Sequence, residues 1–140
     1  NLLFPYSWSQ EDESQITEIN TDGDVVWEWS AKNFINKHNF KMSVSSREPK
    51  SFVAITGAIE LDLDTIVATL SQANVIVFIN KKDGSVEKFI TFSQNEWSSN
   101  NGKRPHTPVV LNKELIGYSL RAPNSVKLWD FDCECYKLLE

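Results

Sequence analysis

Four groups of side chains in this sequence are of types that do chemistry. The first is "CEC", Cys133 and Cys135. On a strand the two point to one face, and a disulfide this short in sequence is strained, so free thiols in a reducing compartment are the expectation. Two thiolates do not complete a tetrahedral zinc site, and the chain's two histidines, His38 and His106, lie far from them in sequence. The second group is "ELDLD" (Glu60–Asp64), where acids alternate with Leu61 and Leu63. On a strand these acids would line one face. A calcium loop needs a glycine-bearing ligand series that is absent here, and glycoside chemistry needs a second carboxylate at a defined distance. An exposed strand end is therefore expected. The third group is Trp8, Trp27, Trp29, Trp97 and Trp129, either a sugar-binding platform or packing between sheets. The fourth is the basic spot Lys103–Arg104 with His106 close behind, which reads as a solvated loop. No Gly-rich phosphate loop, GxSxG elbow or HExxH occurs, so neither cofactor nor metal is expected.

Bulk properties narrow the classes further. The 140 residues suit one domain, and 41% hydrophobic content suffices for a core. A net charge of −5 argues against a nucleic-acid partner, which needs a clustered basic face. No apolar run approaches the roughly 18 residues of a membrane span, and no signal-peptide pattern opens the sequence, so a soluble chain of unassigned compartment is expected. The first residue is Asn1 rather than Met, which fits a mature form, an excised domain or a fragment alike.

The elements that must position these groups read as strands. "LLFPYSW", "SQITEIN", "DVVWEW", "SFVAITGAIELD", "DTIVATLS", "NVIVFIN", "SVEKFITF", "TPVVL", "ELIGYSL", "SVKLWDF" and "CYKLL" are short and rich in Val, Ile, Thr and aromatics. "TDG", "KKDG", "NNGK" and "APN" supply turns between them. "EDES" (Glu11–Ser14) reads as a solvated acidic turn. "AKNFINKHNFKM" (Ala31–Met42) fits neither hydrophobic period well and reads mostly as loop. The fold class expected is all-β.

Internal similarity refines this. Leu61–Ile90 lies over Leu111–Glu140 at an offset of 50 residues, with Leu61/Leu111, Ile66/Ile116, Leu70/Leu120 and Asn74/Asn124 identical and the apolar alternation largely kept. "SQITEINTDGDVVWEW" lies over "NVIVFINKKDGSVEKF" once a one-residue gap is allowed in the turn. Four-stranded antiparallel units at a period of about 50–60 residues mark β-propeller blades. Single-domain blade-like units fall at about 1–30, 51–92 and 106–140 within residues 1–140. The expectation is a partial β-propeller of about two and a half to three blades, the first lacking its inner strand. Blades stack face to face, which explains why Val75, Val77 and Ile79 are apolar as well as Ile76 and Phe78. Alternation puts Val25, Trp27 and Trp29 on one face of their strand, with the tryptophans filling the gap between neighbouring blades. Closed propellers have about four to eight blades, so the missing ones must come from a longer chain or from homo-oligomerisation. A two-sheet sandwich is the rival architecture.

"ITEINTDGDVVWEWSAKNF" (Ile16–Phe34) resembles the blade motif of the bacterial arylsulfotransferase family, and "VIVFINKKDGSVEKFITF" (Val75–Phe92) resembles the same pattern, shared with quinoprotein-like propellers. "HTPVVLNKELIGYSLRAPNSVKLWDFD" (His106–Asp132) is similar to that family's His, strand and Arg arrangement, and also to a WD40 repeat closing on Trp129–Asp130. The arylsulfotransferase resemblance implies sulfuryl transfer from a phenolic sulfate to a phenol through a sulfated histidine. It implies His106 as nucleophile or sulfate ligand and Arg121 as the cationic clamp on the sulfuryl oxygens, with a small aromatic sulfate and a phenol as partners. The chain departs from the family in having two histidines in all, in Thr107 after His106, and in carrying Thr56 and Ser71 at the matching positions of the second unit. The WD40 resemblance implies instead a protein-interaction scaffold without catalysis, and exposed Trp pairs would imply a carbohydrate-binding propeller.

Overall fold

Short runs of β-branched and aromatic residues, cut by Asn, Asp and Gly turns, produce β1 (Leu2–Tyr6), β2 (Gln15–Ile19), β3 (Val25–Ser30), β4 (Ile55–Glu60), β5 (Thr65–Leu70), β6 (Val75–Asn80), β7 (Val86–Thr91), β8 (Pro105–Asn112), β9 (Leu115–Leu120), β10 (Ser125–Asp130) and β11 (Cys135–Lys137). The structure, a computed structural model, describes residues 1–6, 15–40, 55–91, 105–112, 115–120, 125–130, 133 and 135–137, with side chains over 1–5, 16–40, 55–91, 107–109, 117 and 133. Among the described residues the fold is all-β apart from one helix, α1 (Lys32–His38). The strands form three antiparallel sheets, ordered β1-β2-β3, β4-β5-β6-β7 and β11-β10-β9-β8, so every strand pairs with its neighbours in sequence. The "EDES" and "APN" segments and the Lys103–Arg104 spot lie outside the described residues.

Two hairpins share their construction. In the β2–β3 turn the Asn20 side-chain oxygen accepts from the backbone N–H groups of Asp22 and Asp24, both at 2.9 Å. In the β6–β7 turn Asn80 does the same for Lys82 at 2.9 Å. Such side-chain turns hold the backbone without help from a sheet ladder. The Asn20 N–H closes its turn on Asp24 O, whereas the Asn80 N–H closes on Ser85 O, one residue further along. Gly23 (φ 90°) and Gly84 (φ 71°) occupy the left-handed positions, where an L side chain is strained. Each hairpin also carries a bulge just past the turn, with Val26 or Glu87 as the extra residue between the pairs Glu18↔Trp27 and Ile19↔Val25, or Phe78↔Lys88 and Ile79↔Val86.

That first bulge corrects the expected face assignment. Val25 pairs with Ile19, whereas Trp27 pairs with Glu18, so Val25 lies on the face opposite the tryptophans and stays about half exposed. An extra residue breaks the strict alternation on which the sequence reading rests.

The second sheet is buried on both faces. Ile66, Ala68, Leu70, Val75, Val77 and Ile79 form one core with Ile16, Trp29 and Phe34 from the preceding segment. Val67, Thr69, Ile76 and Phe78 are buried on the reverse face, toward which β8 packs against β4 and β5. Trp29 is 7% exposed. Its indole N–H donates to Gly84 O at 2.9 Å, and the Trp27 N–H donates to Lys81 O at 2.9 Å. Both tryptophans thus bridge from the first sheet to the β6–β7 turn of the second.

Residues 32–38 form a helix where the sequence reading expects mostly loop. Tertiary packing decides it, because a helix this short is marginal on its own. Phe34 is buried against Phe40 and Phe89, with ring centroids 5.3 and 5.4 Å apart. Asn39 ends the helix in the left-handed region (φ 48°), the conformation that Asn tolerates best after Gly.

Trp29→Ala is expected to lower stability by about 3–5 kcal/mol, as for other large-to-small core substitutions. Trp29→Phe, which keeps a ring but drops the N–H donor, is expected to cost about 1–2 kcal/mol. Urea unfolding of the two variants beside the wild-type chain checks both values.

Candidate functional site

The strongest polar constellation sits where the first and second sheets meet. Glu18 projects from β2 into the packed face and is 4% exposed. A buried carboxylate is costly unless both oxygens are satisfied, and here they are. Lys81 Nζ lies 2.6 Å from Oε2, and the Asn1 side-chain amide donates to Oε1 at 2.7 Å. Lys81 also reaches Glu60 Oε1 at 2.8 Å, and Lys82 pairs with Asp64 Oδ2 at 2.9 Å on the surface. The hydrogen bonds from Lys81 and Asn1 outweigh burial and hold the Glu18 carboxyl below its ordinary pKa. For Lys81, burial pulls the ammonium's pKa down, but the hydrogen bonds and charges of Glu18 and Glu60 prevail and the net shift is upward.

The "ELDLD" segment is placed differently from the expectation. Only Glu60 belongs to a strand, and residues 61–64 form the β4–β5 turn, so the acids do not line one strand face. The Leu61 N–H bonds to Thr65 O at 2.9 Å, the Lys81 N–H bonds to Asp64 O at 2.8 Å, and Asp62 accepts from the Asp64 N–H at 3.0 Å. A shallow open depression is lined by Glu60, Asp62, Leu63, Asp64 and Thr65. Lys81 and Lys82 each satisfy one of its acids. Among the described residues no group of His, Cys, Asp and Glu is arranged to hold a metal ion.

His106 lies on β8 between the pairs Pro105↔Leu120 and Pro108↔Tyr118, where the register shifts and the ladder gives His106 no partner of its own. Arg121 lies outside the described residues; in sequence it follows Leu120 directly. His38 ends α1, exposed to solvent and stacked near Phe34 and Phe89 at 4.7 and 5.0 Å, so it belongs to an aromatic cluster at the outer edge. Trp27, half-buried, and Trp29, buried, spend their indole N–H groups on the inter-sheet junction. Trp129 lies on β10, and Trp8 and Trp97 are outside the described residues. Cys133 is disulfide-bonded, which corrects the expectation of free thiols; a turn residue between β10 and β11 is not held to the strand alternation assumed for it.

Sequence reasoning overlooked the Asn1–Glu18–Lys81–Glu60 network. A signal for it was present. Laid over the second unit, Glu18 stands at the position of Phe78, an acid where the pattern calls for an apolar residue, and such a position needs a buried partner. Among the described residues no helix is long and apolar enough to cross a membrane.

The sign of the Glu18 shift sets an acid limb. Because the folded pKa is lowered, the stabilisation is present above the ordinary value of 4.5 and is lost as pH falls through the lower folded value. Glu18→Gln is expected to cost about 1–3 kcal/mol at neutral pH and to flatten the decline in stability below pH 4.5. Thermal unfolding measured across acid pH for both chains reads this directly. No protein-family model matches the chain, and no curated protein matches it as a relative.

Proposed function

We propose that the chain is a run of β-propeller blades resembling the arylsulfotransferase propellers, and that it takes part in sulfuryl transfer between a phenolic sulfate and a phenol. Three features support the blade reading. Each sheet is a sequential antiparallel meander. The sheets stack so that the middle one is buried on both faces, as blades must be. The first strand of each later sheet approaches its predecessor, β4 against β1 and β8 against β4, as inner strands do around a common axis.

The observation that carries the chemical reading is the ladder pair Pro105↔Leu120. It sets the residue before His106 opposite the residue before Arg121 in sequence, which supports reading the two as partners in one site. In this reading the neutral His106 imidazole attacks sulfur and displaces the phenolate. Arg121 steadies the charge that spreads over the sulfuryl oxygens. The acceptor phenol then takes the sulfuryl group from the imidazole, giving up its proton, and the histidine is regenerated. A scaffold without chemistry is the competing reading, favoured by the interior use of Trp27 and Trp29.

With 4-nitrophenyl sulfate as donor and a phenol as acceptor, the protein is expected to release 4-nitrophenol. His106→Ala should lower that release by about 1,000-fold or more, Arg121→Ala by about 100- to 1,000-fold, and His38→Ala should leave it unchanged. Absence of release, or release that survives His106→Ala, removes the catalytic reading in favour of the scaffold.

A further inference from the structure

The disulfide at Cys133 closes almost no loop. Cys133 is disulfide-bonded, and the chain holds one other cysteine, Cys135, so the bridge within the chain joins residues two apart. A cross-link stabilises mainly by restricting the unfolded chain, and the effect grows with the length of the loop it closes. A loop of this size restricts very little. Nor does the bridge bring distant elements together. The strands on either side of residues 131–134 already pair through Leu128↔Lys137, Trp129↔Tyr136 and Asp130↔Cys135. Stability therefore does not account for it. Two features make it reactive instead. A bridge this short in sequence is strained, and strained disulfides are more readily reduced. Cys133 is also exposed in its turn, where an attacking thiolate meets it without any opening of the sheets. Strained and exposed disulfides are the labile, regulatory or catalytic ones.

From this we propose that the Cys133–Cys135 bridge is a redox-active disulfide that exchanges with low-molecular-weight thiols. A thiolate attacks Cys133 Sγ, the exposed end of the bridge. Its electron pair forms the new S–S bond, the Cys133–Cys135 bond breaks, and Cys135 leaves as a thiolate that takes up a proton. A second thiolate then attacks the small-molecule sulfur of the mixed disulfide and releases Cys133, which is protonated in turn. Two thiols are oxidised to one disulfide, and the protein pair is reduced by two electrons. In the reverse direction Cys135 resolves the mixed disulfide on Cys133 and the bridge re-forms. The β10–β11 pairing holds the two cysteines near each other in both states, so the ladder does not depend on the S–S bond. The inference uses neither the blade reading nor sulfuryl transfer, and a failed sulfotransferase assay leaves it untouched.

Equilibrating the native chain in a series of reduced and oxidised glutathione mixtures, then quenching with acid, alkylating and weighing the products by mass spectrometry, tests it. The bridge is expected to be half reduced at a quotient of squared reduced to oxidised glutathione about 100-fold or more below that needed by the structural disulfides of a secreted protein in the same series. The reduced chain should keep the far-ultraviolet circular dichroism of the oxidised one. Cys135→Ser removes the resolving thiol, so a lasting glutathione adduct on Cys133 should build up in oxidised glutathione, whereas the wild-type chain converts that adduct into the bridge. Should Cys135→Ser fail to fold, the wild-type series decides alone. A bridge as resistant as the structural ones overturns the proposal. So does a wild-type chain that forms no bridge in oxidised glutathione, loss of native dichroism on reduction, or a folded Cys135→Ser chain that takes up no adduct.

Discussion

The second sheet cannot exist alone. Its two central strands, β5 and β6, bury Ile66, Ala68, Leu70, Val75, Val77 and Ile79 on one side and Val67, Ile76 and Phe78 on the other, all at most 5% exposed. A sheet with two apolar faces needs a cover on each. The first sheet and α1 cover one face, and β8 approaches the other through β4 and β5. The connections between sheets follow from this constraint, because each must carry the chain from one layer to the next while the hairpins stay local.

What holds the first cover in place is directional as well as apolar. Trp27 and Trp29 reach from β3 to the β6–β7 turn and donate to its carbonyls. The turn is a fixed target because Asn80 and Gly84 set its backbone. Glu18 adds a charge at the same seam. Alone it would oppose packing, but Lys81 leaves that same turn and neutralises it at 2.6 Å. One turn therefore serves both indoles and the carboxylate, so its conformation and the alignment of the two sheets are set together. A pair of this kind favours one register over a slipped one, since a shift would strand the carboxylate in an apolar layer.

Much of the secondary structure was legible in the sequence, because period-two alternation and Asn/Asp/Gly turns are local signals. All eleven strand-like segments contain or overlap a strand. The departures share a cause. The helix at 32–38 depends on Phe34 meeting Phe89, more than fifty residues away. Val25 changes face because a bulge at Val26 adds a residue that no periodicity announces. "ELDLD" alternates like a strand yet turns after Glu60, where bonds from Leu61 and Lys81 fix the chain. Of the candidate site, the sequence offered His106 and Arg121 as residue types; the β8–β9 ladder relates only their preceding neighbours, Pro105 and Leu120.

The sequence by itself determined that this protein is built of short antiparallel strands, that its middle sheet has two apolar faces, and that two of its hairpins turn on Asn and Gly. These depend on residues close together in the chain. Only the tertiary structure decided that the Trp27 and Trp29 indoles donate to the β6–β7 turn and that Glu18 is a buried and paired charge. Each of those outcomes depends on groups some sixty residues apart meeting at one seam, as Glu18 and Lys81 do, and a contact between sheets leaves no periodic trace within either one.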